Sequence, residues 1–153
     1  MLKPSKIIIA DTSCLIILEK IGQLELLQVL DGEIVITSTI QSEFQKPVPR
    51  WIKIEDPQKT SPTIIQSLLD PGEMSAISLA LEKKDTLLIL DDDKARKYAK
   101  QLTLKYTGTL GVILEAKRKG KINSVIPILD AIKKTNFRIS PKMEARFLYL
   151  AGE

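Results

Sequence analysis

Residues 6–20 read Lys-Ile-Ile-Ile-Ala-Asp-Thr-Ser-Cys-Leu-Ile-Ile-Leu-Glu-Lys. The first five, Lys6 to Ala10, form a continuous run of mostly β-branched residues, the pattern of a parallel strand covered on both faces. Residues 12 to 20 read as a helix, so the segment predicts a strand that turns directly into a helix with Asp11 at the joint. Strands and helices taking turns define an α/β domain around a parallel sheet.

The same alternation extends to both sides of this segment. Gly22 breaks the first helix, and Leu24, Leu26, Leu27 and Leu30 mark a second short one before a strand at Glu33 to Thr37. Ser38, with Gln41 three residues on, has the signature of a capping box opening a helix to Gln45, which Pro47 and Pro49 end. Trp51 to Glu55 suits a short edge strand, Ser61-Pro62 begins a helix, and Pro71-Gly72 reads as a turn before a helix from Glu73 to Lys84. A strand at Thr86 to Leu90 leads into Asp91-Asp92-Asp93 and a basic amphipathic helix to Leu102. Beyond it come a strand near Leu104 to Tyr106, a turn at Thr107-Gly108-Thr109, and helices at 110–119, 124–134 and 141–150. No linker, repeat or low-complexity tract interrupts the chain, so a single domain over 1–153 is expected.

Composition narrows the chemistry. Hydrophobic residues make up 44% and charged ones 27%, which suffices for a buried core and rules out disordered and fibrous classes. The absence of histidine removes every mechanism that needs an imidazole. The single cysteine, Cys14, permits no internal disulfide and no cysteine zinc cluster, and reads as a small core residue. Lys3 and Lys6 precede an apolar run that Asp11 and Glu19 cut short of a membrane span, so a soluble cytoplasmic protein is expected. The net charge of +4 hides a division: residues 1–93 hold 9 basic and 15 acidic side chains, and residues 94–153 hold 14 basic and 4 acidic.

Four acidic sites share a position type. Asp11 ends the first strand, Glu43 lies on the helix opened by the second, Glu73 begins the helix after Pro71-Gly72, and Asp91 follows a later strand. Ligands of open parallel sheets bind at the carboxyl ends of the strands, where such residues can converge. Two unit charges about 5 Å apart repel by roughly 3 kcal/mol at an effective dielectric near 20, so convergence calls for a compensating cation. With carboxylates, hydroxyls and water on offer, Mg²⁺ or Mn²⁺ is the natural choice. Each acid also has a structural reading: Asp11, Glu73 and the Asp91 to Asp93 run all stand where they could cap or favour a helix start. Glu43, at mid-helix, has no such role.

The segments 7–13, 36–43, 72–77 and 90–96, with Thr107-Gly108-Thr109-Leu110-Gly111, resemble in order and spacing the acidic motifs of PIN-domain nucleases. The resemblance covers about residues 5 to 147 and lies nearest a branch close to the VapC-type toxins. It implies a Rossmann-like three-layer α/β/α sandwich with a central parallel sheet, a Mg²⁺ or Mn²⁺ ion, and endonucleolytic cleavage of single-stranded RNA. By position, it assigns Asp11, Glu43, Glu73 and either Asp91 or Asp92 as catalytic metal ligands, with Thr12, Ser13 and Thr109 as supporting hydroxyls. The third motif carries Glu rather than the more frequent Asp. The resemblance also implies a toxin restrained by an antitoxin protein, with a homodimer as a further possibility.

The basic second half meets the need to hold a polyanion against an acidic centre, and Lys94, Arg96 and Lys97 are the expected RNA contacts, with Lys117 to Lys121 a weaker group. With one Trp, three Tyr and three Phe, no stacking platform is evident. The alternative from another class is a catalytically inactive PIN-like module that binds RNA or protein. A receiver-like phosphotransfer protein ranks below both, because no aspartate ends the strand at Glu33 to Thr37.

Overall fold

The computed structural model describes residues 5–59 and 69–153. Five strands form one parallel sheet: β1 (Ile7–Ala10), β2 (Glu33–Ile36), β3 (Ile52–Ile54), β4 (Thr86–Ile89) and β5 (Lys105–Thr107). Their spatial order is β3-β2-β1-β4-β5. The helices are α1 (Thr12–Lys20), α2 (Ser38–Phe44), α3 (Pro71–Glu82), α4 (Asp93–Gln101), α5 (Thr109–Arg118), α6 (Ile126–Lys133) and α7 (Pro141–Ala151). The expected helix at Ser61-Pro62 lies outside the described residues.

Successive residues of a strand point to opposite faces, and Ile8, Ile9 and Ala10 are all fully buried. Helices therefore cover both faces of β1, as in an α/β/α sandwich. β4 is buried along its whole length, whereas the edge strands β3 and β5 are half-exposed, which matches their shorter and more polar sequences. Register places Ile8 beside Ile34 on one side and Leu87 on the other. The α/β/α sandwich with a central parallel sheet expected from the sequence is the fold observed.

The chain builds β1, β2 and β3 in one direction, then returns to lay β4 on the other side of β1. This reversal is a topological switch point, where a crevice opens between the carboxyl ends of the two central strands. Asp11 follows β1 and Asp91 lies two residues after β4, so both stand at that crevice.

Three local readings need correction. The stretch Leu24–Leu30 is helical but of the tighter 3-10 type. The cap of α2 is Thr37, whose hydroxyl accepts from the Ile40 N–H, while the Ser38 hydroxyl is drawn away to Asp56. Strand β2 ends at Ile36, one residue earlier than expected, which moves the cap back by one. Pro71-Gly72 is not a turn but the first two residues of α3. Asp70 and Glu73 form a reciprocal capping box there, and proline at the first helical position forfeits no hydrogen bond.

Candidate active site at the switch point

Asp11 is 3% exposed, and its Oδ1 is buried without a hydrogen-bond partner among the described residues. It occupies the cap position of α1, yet its side chain makes no capping bond. The structural reading of Asp11 as a helix cap therefore fails. Burial pushes its carboxyl up from 3.8 to about 8; the Thr12 N–H pulls the other way, and the negative charges of Glu73, Asp70 and Glu43 add to the rise. Those three acids, distant from it in sequence, thus lie close enough for their charge to act on Asp11.

Each neighbour is held by a specific bond. The Thr12 hydroxyl donates to Glu43 Oε1 at 2.6 Å, tying the start of α1 to the last turn of α2, which ends at Phe44, earlier than the sequence suggests. Thr37 and Ser75 hydroxyls meet at 2.6 Å and join the start of α2 to α3. Glu73 is buried within the capping box, its N–H donating to Asp70 Oδ1 at 2.8 Å. Burial first, then the charge of Asp70 and more weakly that of Asp92, raise the Glu73 carboxyl to about 7.

Gly72 has an evident steric role. A Cβ at this position would overlap Glu43 Oε1 and crowd Thr12 Oγ1, so only glycine lets α3 approach both. Gly72→Ala is expected to leave thermal stability within a few degrees, because Ala favours helices and the clash is with the tip of a flexible side chain. If a divalent ion is held by Glu43, the same change should weaken its binding by about 10- to 100-fold by displacing that carboxylate, the range seen when residues supporting metal ligands are lost. Melting curves and Mn²⁺ titrations on the same preparation check both parts.

The aspartate run divides its duties. Asp91 accepts from the Thr109 N–H at 2.8 Å and from its hydroxyl at 2.6 Å, which binds β4 to the start of α5. Asp92 caps α4 by accepting from the Ala95 N–H at 3.1 Å, and its charge reaches Glu73. Asp93 is exposed in the first turn of α4. Ser13 is exposed on α1, and its side chain makes no hydrogen bond among the described residues. Cys14 is fully buried behind these acids; burial, and then the charge of Asp91, push its thiol up, so it stays a neutral core residue.

Of the expected RNA contacts, Lys94 and Lys97 are exposed. Arg96 is not free: its Nε donates to the Leu90 carbonyl at 2.6 Å, and its guanidinium stands 5.6 Å from the Tyr106 ring centre. Gly108 makes room for it, since a Cβ there would strike both Arg96 and Asp91. In the weaker basic group, Lys117, Arg118 and Lys119 are paired with Glu153, Glu115 and Asp31. Asp70 is the residue that sequence reading missed, although the Asp-x-x-Glu spacing with Glu73 signals it.

Among the described residues, no three acidic side chains stand close enough together to enclose a metal ion. The donor set is nevertheless all oxygen, and it includes a buried carboxylate oxygen that no described residue satisfies and an excess of negative charge. These features fit a hard divalent cation. Glu43, Glu73 and Asp91 are instead each bonded within the protein, to Thr12, Asp70 and Thr109.

Fold and site together define a parallel α/β protein with an acidic crevice at its switch point. Residues 7–153 match the family model of the PIN domain, and the chain belongs to that family, whose members are generally nucleases that use divalent metals. No curated protein matches the sequence. No helix among the described residues is long and apolar enough to cross a membrane.

Proposed function

We propose that residues 1–153 form one PIN-like domain that acts as a Mg²⁺- or Mn²⁺-dependent endoribonuclease on single-stranded RNA. In this reading it is the toxin of a VapC-like toxin–antitoxin pair, cytoplasmic and restrained by a small partner protein. The observation that carries the catalytic part is the buried, unpartnered Asp11 Oδ1 in the field of Glu43, Asp70 and Glu73. The toxin assignment rests on the resemblance of the motifs.

Asp11, Glu43 and Glu73, with Asp91 or Asp92, would hold the ion. When bound, the ion supplies charge neutralisation for the scissile phosphate and activation of the attacking water. Thr12 fixes the Glu43 carboxylate, and Thr109 fixes that of Asp91, so both oxygens are oriented before substrate arrives. The carboxyls of Asp11 and Glu73, raised to about 8 and about 7 mainly by burial, would give up their protons on holding the ion. None of this needs histidine.

Purified protein incubated with single-stranded RNA should cut it in Mn²⁺ and leave it intact in EDTA. Absence of cleavage in Mn²⁺, or equal cleavage in EDTA, defeats the proposal. The second reading, an inactive RNA- or protein-binding module, draws support from Asp92 and Glu73 being engaged in helix caps. It predicts RNA retention without cleavage under both conditions.

A further inference from the structure

A groove of about 1110 Å³ runs beside the acidic crevice between α1, α5, α7 and the segment before α7. One end is formed by Ser13 and the Asp91 to Asp93 run; Asp11, Glu43 and Glu73 do not line it. Its walls carry Lys20 from α1, Arg138 from the 136–138 segment and Arg146 from α7, all exposed. Half-buried Phe137 lies along it, with apolar residues of α1 and α5 such as Ile16 and Leu114.

The charge pattern is uneven. Lys117, Lys119 and Lys133 are each paired with a carboxylate elsewhere on the surface. Lys20, Arg138 and Arg146 form no ion pair with any described residue, although they converge on one cleft. Apart from the aspartate run at its end, that cleft is lined by no acid. Unpaired cations along walls, with an aromatic ring between them, are what single-stranded nucleic acid requires: positive charge tracking the backbone and a face on which a base can stack.

We propose that this groove holds the RNA segment adjoining the scissile phosphate, with Lys20, Arg138 and Arg146 against its phosphates and Phe137 beneath a base. The inference rests on the nuclease reading above and assigns the strand a path away from that site. Lys94 lies where the path meets the aspartates.

The test separates binding from cutting. A fluorescein-labelled single-stranded RNA of about 12 nucleotides is titrated in EDTA by anisotropy across roughly 50 to 200 mM KCl. Cleavage of the same RNA is followed in Mn²⁺. The Arg138→Ala/Arg146→Ala double variant should lower the slope of log K against log salt by about 1.4, from two lost phosphate contacts at roughly 0.7 each. Phe137→Leu, which keeps apolar bulk, should weaken binding about fivefold with the slope unchanged, as expected for a stacking loss. Lys84→Ala, an exposed cation outside the groove, serves as the control and should match the wild type. If the wild type cuts RNA but the groove variants keep its affinity and slope, the groove assignment is overturned and the nuclease reading stands. In that case a protein is the better occupant. A wild type that neither binds nor cuts RNA removes both.

Discussion

Replacing Asp11 with Asn is expected to lower divalent-dependent RNA cleavage by more than about 100-fold while raising the thermal stability of the metal-free protein. The first half follows from its position: loss of groups that merely support a metal ligand costs about 10- to 100-fold, and Asp11 is assigned as a ligand itself. The second half follows from burial. At pH 7 the fold must either hold a proton on Asp11 or keep an unpartnered charge out of water, because its carboxyl is pushed from 3.8 to about 8. Asn has the same shape without that cost, so the gain is on the order of 2–4 kcal/mol after allowing for an imperfectly bonded amide. For a chain of this size that corresponds to roughly 5–10 °C in melting temperature. Opposite movement of activity and stability is the mark of a site held under electrostatic tension. If Asp11→Asn melts lower than the wild type, Asp11 is a structural residue.

The metal-free protein is expected to lose stability as pH rises from about 4.5 to 8, and divalent ion to restore more of it at pH 8 than at pH 5. The folded pKa of Asp11, about 8, lies above its ordinary 3.8, and that of Glu73, about 7, above its ordinary 4.5. A raised acid contributes fully below its unfolded pKa, and its contribution is lost as pH climbs towards the folded value. Between these limits the native state binds more protons than the unfolded chain, at up to about 1.4 kcal/mol per pH unit for each group. Asp11, the more deeply placed, dominates. Below pH 4 the sign reverses, since Glu55, Glu82, Asp85 and Glu153 have carboxyls lowered by hydrogen bonds to lysines, backbone N–H groups or Ser124, and they lose those contributions in acid. A cation held by Asp11 and Glu73 would have to displace the two protons, so its binding is expected to be weak at pH 5 and strong at pH 8. Melting temperatures from pH 4 to 8, with and without Mn²⁺, measure this. A flat profile with equal metal shifts at both ends contradicts it.

Much of the fold is legible because its central strands are written in local terms. Ile7–Ala10 and Thr86–Ile89 are apolar throughout, and burial on both faces permits nothing else. Other features depend on partners far along the chain. That β4 lies beside β1, with Ile9 paired to Leu88, is a contact 79 residues apart, and no local pattern encodes it. The anchoring of Arg96 is hidden for the same reason: its Nε bonds the Leu90 carbonyl and its guanidinium stands by the Tyr106 ring, partners that meet it only in the folded protein. The cap of α2 shifted by one residue because Thr37 and Ser38 are both competent, and the end of β2 together with Asp56 decides between them. Asp70 could have been read from its spacing to Glu73, but the turn propensity of Pro71-Gly72 masked it. Of the acids, the place of Asp11 is legible because it directly follows the first strand. The division between Asp91 on Thr109 and Asp92 on α4 needed atomic geometry.

Direct measurement of Mn²⁺ binding by the loss of the free-ion electron paramagnetic resonance signal, at pH 8 on the wild type and on Asp11→Asn, bears on the acidic crevice without any substrate. Saturable binding by the wild type, abolished or weakened by more than about 100-fold in Asp11→Asn, is the predicted result. Equal binding by the two proteins, or none by either, would contradict a metal centre built on Asp11.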